Sequence, residues 1–473
     1  MALKPLKRVA QGVRLPLAFA LVAMLATSAA AGAAPTASQV ADINPAGNSF
    51  PRSLVNLGGT LLLGADDGTH GVELWRSNGT EAGTTLVKDI NPGPADSKPG
   101  TGAENVRQIA KVGTTLFFSA DDGTHGYELW RSNGTAAGTQ LVKDIHPGIS
   151  NSLPQRFLSV GGTLYFAADD GTHGFELWRS DGTSAGTTMV KDIDPGINGS
   201  SPFALTRIGN TFFFNARGAG DDFELWRSNG TSAGTTLVKD IYPGGRSSDP
   251  TWLTNLAGTL YFSADDGTHG FELWSSDGTP AGTSLVKDIN PGSGNSSPGV
   301  LANVAGTLYM RARDGTHGVE LWRSDGTGAG TTLVKDIYPG GSDSYPDTIT
   351  DYLGDAFFSA TDQTHGRELW RSDGTAGGTT LVKDIYPGVR GSTPRSRTRL
   401  TVLAHHLFFA ATDPDNGREL WTSDGSSAGT NLVADINPGM PGSFPAGPTV
   451  VAGNLFFQAR DSTDGAELWR AAP

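Results

Sequence analysis

The tripeptide Glu-Leu-Trp recurs nine times, ending at Trp75, Trp130, Trp178, Trp226, Trp274, Trp322, Trp370, Trp421 and Trp469. Successive spacings are 55, 48, 48, 48, 48, 48, 51 and 48 residues. A second marker, Asp-Ile, recurs at Ile43, Ile90, Ile145, Ile193, Ile241, Ile289, Ile337, Ile385 and Ile436. A period of this length means that each unit is one supersecondary element, which buries its apolar face against its neighbours. Of the ten tryptophans, only Trp252 stands outside the series.

One unit can be followed from Pro154 to Gly196. Leu158 to Val160 leads into the turn Gly161-Gly162, and Thr163 to Ala168 is rich in β-formers. The turn Asp170-Gly171-Thr172-His173-Gly174 precedes Phe175 to Arg179. Ser180-Asp181-Gly182-Thr183 then leads to a last run, Thr187 to Ile193, closed by Pro195-Gly196. These are four short strands punctuated by Gly, Asp and Pro turns, and no stretch sustains a 3.6-residue period. The reading is an all-β chain: a β-propeller of nine four-stranded blades, with eight blades plus an irregular unit as the fallback and a spiral of stacked repeats as the competitor.

The connection after Ile193 is the longest and most variable, as a link crossing a blade's width must be. The Asp-Ile strand is therefore expected outermost and the Gly-Gly strand innermost. The stretch Val40-Ala41-Asp42-Ile43 is an outer strand without a blade, and Glu467-Leu468-Trp469-Arg470 ends a blade without an outer strand. Their pairing would close the ring and remove the open sheet edge.

The phrase Glu176 to Thr183, Glu-Leu-Trp-Arg-Ser-Asp-Gly-Thr, resembles the signature of the ELWxxDGT-repeat family of secreted, myxobacterial-type proteins. The resemblance covers about 430 residues. It implies an exported propeller-like repeat protein and no particular reaction. The run Leu164 to Ile193 is similar in layout to a TolB-like blade. The spacing Ala168, Asp170, Gly174, Trp178 is similar to the tryptophan-docking motif of quinoprotein propellers, but falls one strand earlier.

The chain begins with Lys4, Lys7, Arg8 and Arg14, an apolar run from Leu15 to Ala26, and small residues through Ala33. This reads as a signal peptide over 1–31, followed by a short linker over 32–39 and a single propeller domain over 40–473. The apolar run is shorter than the ~20 residues that span a bilayer. The expected location is secreted, periplasmic or cell-surface. Formal net charge is −13, and loss of the four leader cations makes it −17. Such a surface repels phosphate backbones and anionic lipid, which excludes nucleic acid and membrane insertion as leading readings. The absence of cysteine excludes disulfides, thiolate metal sites and thiol nucleophiles.

Most repeated residues have a structural account. Trp178 and its equivalents supply buried area between blades, and Glu176 shares a strand face with Trp178. A buried carboxylate needs partners, and two are open: Lys191 across the hairpin, or backbone N–H groups. The backbone is favoured because the units ending at Ile43 and Ile436 carry Ala41 and Ala434 where others have lysine. A catalytic carboxylate pair is disfavoured by its ninefold repetition.

The candidate binding residues are His70, His125, His173, His269, His317 and His365 of the Asp-Gly-Thr-His-Gly turn, with Tyr242, Tyr338 and Tyr386 of the loops after Asp-Ile. Units four, eight and nine lack the histidine. Either the histidine caps a backbone group, or each turn is a ligand site in which Asp170 and His173 contact a sugar hydroxyl or a divalent metal. Calcium is admitted only weakly, because the loop lacks the carboxylate density of an EF-hand. Arg217, Arg313 and Arg460 break the pattern in non-adjacent units. The functional expectation is a monomeric binding module, recognising glycans or extracellular or envelope proteins through repeated weak sites. The alternatives are an enzyme in the central channel, quinoprotein-like oxidoreductase or glycosidase, and a structural envelope component; fold does not choose among them. No cofactor is expected.

Overall fold

A computed structural model describes residues 34–100, 108–220, 222–392 and 399–472. The leader expected over 1–31 lies outside the described residues. Among those described, no helix is long and apolar enough to cross a membrane.

Blade three shows how the repeat becomes a sheet. Its strands, here a to d, are Gln155–Val160, Thr163–Asp169, Phe175–Ser180 and Thr188–Lys191, hydrogen-bonded antiparallel in that order. The a–b turn is tight because Gly161 and Gly162 both take positive φ, 57° and 84°, as a two-residue hairpin requires. Strand d ends before Asp192-Ile193, earlier than the sequence suggested. The N–H groups of Ile193 and Asp194 leave the ladder to donate to the Glu176 carboxylate, at 3.1 and 3.2 Å.

The described residues form nine such four-stranded sheets. Eight are built from consecutive strands. The ninth takes its outer strand, Thr36–Ala41, from the start of the chain, paired with Ala466–Ala472 from Thr36 against Ala472 to Ala41 against Leu468. The closing strand thus reaches into the stretch read as linker. Strands a of successive blades touch one another and lie innermost. The molecule is a closed nine-bladed β-propeller.

The apolar core lies between blades rather than within them. Val160, Tyr165, Leu177, Val190 and Ile193 of blade three pack against Phe212, Phe214, Ala216 and Trp226 of blade four. An equivalent cluster joins blade nine to blade one through Val40, Ile43 and Phe456 against Leu61, Leu63 and Trp75. Lys191 does not serve Glu176: its ammonium donates to the carbonyl of Thr235 at 2.9 Å and lies 5.7 Å from the Trp226 ring centre, both in the next blade. The backbone alternative for Glu176 is the one the fold uses.

Seven of the nine inner strands are irregular at their second residue, those of blades two and eight being regular over their described residues. Ser53, Arg156, Ala204, Trp252, Val300 and Thr348 have φ between 54° and 60°, and Gly447 follows at 63°. Pairing with strand b slips at this point, as between Gln155 and Leu158. A left-handed non-glycine residue costs of order 1–3 kcal/mol, so neighbouring structure must hold it. Thr206 and Thr254 help: each hydroxyl lies within 3.2 Å of the carbonyl of its own blade's left-handed residue and of a carbonyl in the next blade.

Candidate functional site

The Asp-Gly-Thr-His-Gly turns and the loops after Asp-Ile share one face of the ring. A Cβ added to Gly174 would meet the Ile197 carbonyl within the same blade, and one added to Gly171 would meet the His146 ring of the preceding blade. The face is therefore a circle in which each turn is wedged between its own loop and its neighbour's.

Within the turn, the aspartate does the capping. Asp170 Oδ1 accepts from the N–H groups of Thr172 and His173, both at 2.9 Å, and Oδ2 meets His173 Nδ1 at 2.8 Å. The same Asp–His pair recurs at Asp67–His70, Asp122–His125, Asp266–His269, Asp314–His317 and Asp362–His365, between 2.7 and 2.9 Å. The six imidazoles are 35–41% exposed. Their Nε2 atoms make no hydrogen bond among the described residues.

In two of the three blades without the histidine, eight and nine, the cap survives; blade four has Gly218 at the capping position. Asp413 Oδ1 accepts from Asp415 and Asn416 N–H, and Asp461 Oδ1 from Thr463 and Asp464 N–H. The histidine is thus dispensable for the turn, which corrects the reading of it as a backbone cap. In blade four Arg217 instead binds Asp194 of the previous blade, at 2.8 Å, and the Gly199 carbonyl. Arg313 and Arg460 are exposed, so the three arginines do not form one site.

The electrostatics follow from these contacts. Burial alone would raise Asp170, but donation by Thr172 and His173 brings it down to about 2. Reciprocally, the hydrogen bond to Asp170 raises His173 above the usual imidazole value. With Nδ1 held by a carboxylate, the neutral ring offers Nε2 as an acceptor and the charged ring offers it as a donor. The arrangement can engage hydroxyls in either state.

The three tyrosines are half-buried rather than open. The ring of Tyr242 covers Gly267, in the turn carrying His269, at the socket that His146 and Asn290 fill over Gly171 and Gly315. Tyr386 is occupied by its own loop, with Arg390 5.4 Å from its ring centre and donating to its hydroxyl. Tyr338 is half-buried in its loop, its N–H donating to Glu320. Tyr242 is thus brought against a histidine turn. Among the described residues, Asp222, Glu224 and Asp240 converge as a metal-capable group. Glu224, however, already accepts from Ile241, Tyr242 and Ser248, so this carboxylate is committed to the backbone.

The inner strands enclose a cavity of about 1120 Å³, walled by Val55, Lys111, Leu158, Thr348, Arg399 and Thr449 among others. A second, of about 480 Å³, is lined by Trp252, Leu301, Thr350 and Arg399. Sequence reasoning assigned no role to Trp252, although its place outside the repeat marked it.

No protein-family model and no curated protein matches the sequence. Solved structures resemble it distantly. A puromycin hydrolase is 12% identical, with 89% of this chain and 60% of that one covered and a TM-score of 0.41. A prolyl endopeptidase structure is 13% identical, with coverage of 80% and 54% and a TM-score of 0.39. Oligopeptidase B from Leishmania major is 10% identical, with coverage of 76% and 53% and a TM-score of 0.40. The chain spans between about half and three fifths of the length of these proteins.

Proposed function

We propose that this protein is an exported β-propeller of the ELWxxDGT-repeat type that works as a multivalent binding module, recognising glycans on or outside cells through its histidine-bearing face. The observation that carries this reading is the sixfold Asp–His pair. Its aspartate shapes the turn, and its histidine is left with a free Nε2 at more than a third exposure. A group that the turn does not need, yet presents identically six times, fits recognition better than scaffolding. Weak sites repeated on a rigid ring gain affinity through avidity, often by ~10²–10⁴. Export is supported by the leader pattern over 1–31 and by the cysteine-free, acidic composition.

The test is a glycan array probed with residues 32–473 and with a variant carrying alanine at all six histidines, each with calcium and with chelator. The reading expects a specific signal that the variant loses while keeping its thermal midpoint. An unchanged signal in the variant would overturn the histidine site. A blank array with a folded protein would overturn glycan recognition itself.

A further inference from the structure

In a ring of nearly identical units, departures confined to one place carry the most information, because the other blades show what the fold itself requires. Three such departures meet at the start of the inner strands of blades five and six. Trp252 is 47% exposed, whereas eight of the nine repeated tryptophans are 5–9% exposed. Arg311 stands where the other blades carry Gly64, Ser119, Ala167, Asn215, Ser263, Ser359, Ala410 and Gln458. Gly299 stands where other described blades carry Arg52, Gln155, Phe203, Thr251, Asp347 and Ala446.

These residues explain one another. Gly299 pairs with Arg311 across the blade, and its φ is not left-handed, so the glycine is not there for the backbone. It is there for space: a Cβ would lie 3.1 Å from Arg311 Nε and 3.3 Å from Trp252 Nε1. The guanidinium lies 5.9 Å from the Trp252 ring centre and 6.0 Å from that of Tyr345, within the ~6 Å range of cation–π attraction. It makes no hydrogen bond or ion pair among the described residues. Arg311 is thus held between two rings while its five N–H donors are uncommitted. Beside it, Trp252 lines the cavity of about 480 Å³ that extends to a second arginine, the exposed Arg399.

We propose that Trp252 and Arg311 form a single binding site for an anionic sugar, with Tyr345 and Gly299 positioning the arginine. Trp252 stacks on the apolar face of the pyranose, and the Arg311 fork takes its carboxylate or sulfate by paired, charge-assisted hydrogen bonds. Arg399 draws the next anionic unit of a chain along the cavity. The choice of a sugar rests on the glycan-binding reading above; the requirement for an anion does not, and neither does the site depend on the histidines.

Sister blades supply the variants. Arg311→Gln introduces the residue that blade nine carries as Gln458, and Trp252→Ala the one that blade four carries as Ala204, so both fit the repeat. Titrate the full mature chain with a uronic-acid hexasaccharide, its carboxyl-reduced neutral counterpart and a sulfated hexasaccharide, following calorimetry and tryptophan emission. The expected result is one-to-one binding of an anionic probe with a change in emission. Affinity should fall at least tenfold in each variant and for the neutral probe, and persist in the six-histidine alanine variant. Preference between uronate and sulfate identifies the anion. Binding that survives Arg311→Gln, or a wild-type protein that binds neither anionic probe, overturns the inference. If array glycans still bind through the histidines in that second case, the broader reading stands without it.

Discussion

Glu176 and Ser200 lie 24 residues apart and meet in the interior, Ser200 Oγ donating to Glu176 Oε2 at 2.6 Å while the Ser200 N–H donates to Oε1 at 2.8 Å. With Ile193 and Asp194, they make a cage of four donors that pins the loop leaving each blade to the strand that carries the repeated tryptophan. The cage recurs around Glu128 with Ile145, His146 and Ser152. Glu128→Gln places an NH₂ against donors and strands at least one of them. The expected loss is about 2–4 kcal/mol, read as a lower urea midpoint. Ser152→Ala, which removes one donor, should cost about 1 kcal/mol. A Glu128→Gln protein as stable as wild type would show that the cage does not hold the blade.

The cages set the pH response. Burial pushes Glu73, Glu128, Glu272, Glu320 and Glu368 up to about 7 despite the donors. The serine accommodates the protonated form, because Ser152 Oγ also lies 3.4 Å from the Tyr127 carbonyl and can turn to donate there. Between about pH 4.5 and 7 the folded chain binds more protons than the unfolded one, so stability falls as pH rises. The turn histidines, raised by their aspartates, act in the same direction: their contribution is full below the unfolded value and lost as pH climbs through the folded one. The lowered aspartates lose theirs only in acid. A thermal midpoint at least ~3 °C lower at pH 8 than at pH 5.5 is expected in calorimetry. A midpoint that rises over that interval would contradict it.

Lys191 reaches across the blade boundary to the Thr235 carbonyl and the Trp226 ring. Lys191→Ala should cost about 1–2 kcal/mol, the sum of a charged hydrogen bond and a cation–π contact. Blades eight and nine have alanine here, at Ala434 and Ala41, so the fold should survive one such loss. Urea midpoints of the single variant and of a Lys191→Ala/Trp226→Leu pair would separate the two parts.

Removal of residues 34–43 deletes the strand Thr36–Ala41 and leaves Ala466–Ala472 as a bare edge. Exposed edges pair with other chains. The truncated protein should self-associate with rising concentration in light scattering, and a peptide spanning 34–43 should reverse this. A truncated chain that stays monomeric would mean that the ring closes without its first strand.

The sequence made blade boundaries, strand order and ring closure readable because each turn carries its own chemistry: Gly161-Gly162, Asp170-Gly171, Asp181-Gly182, Pro195-Gly196. It left Glu176 between two partners, since a hairpin register drawn on paper cannot show that Lys191 points to the next blade. The six histidines were legible as an interrupted pattern, but not that Asp170, rather than His173, caps the turn. Trp252 stood out by its position alone. Its surroundings were hidden because Gly299 and Arg311 belong to the following blade and come beside it only when the ring is assembled.

The placement of the core between blades has a consequence for how such a chain can change. No blade owns its interior: each lends one face to the cluster before it and one to the cluster after it. The ring consequently has no privileged first blade, and a chain cut at any connecting loop and rejoined at its present ends would contain the same nine seams. The starting point is fixed only by which blade receives its outer strand from the far end of the polypeptide.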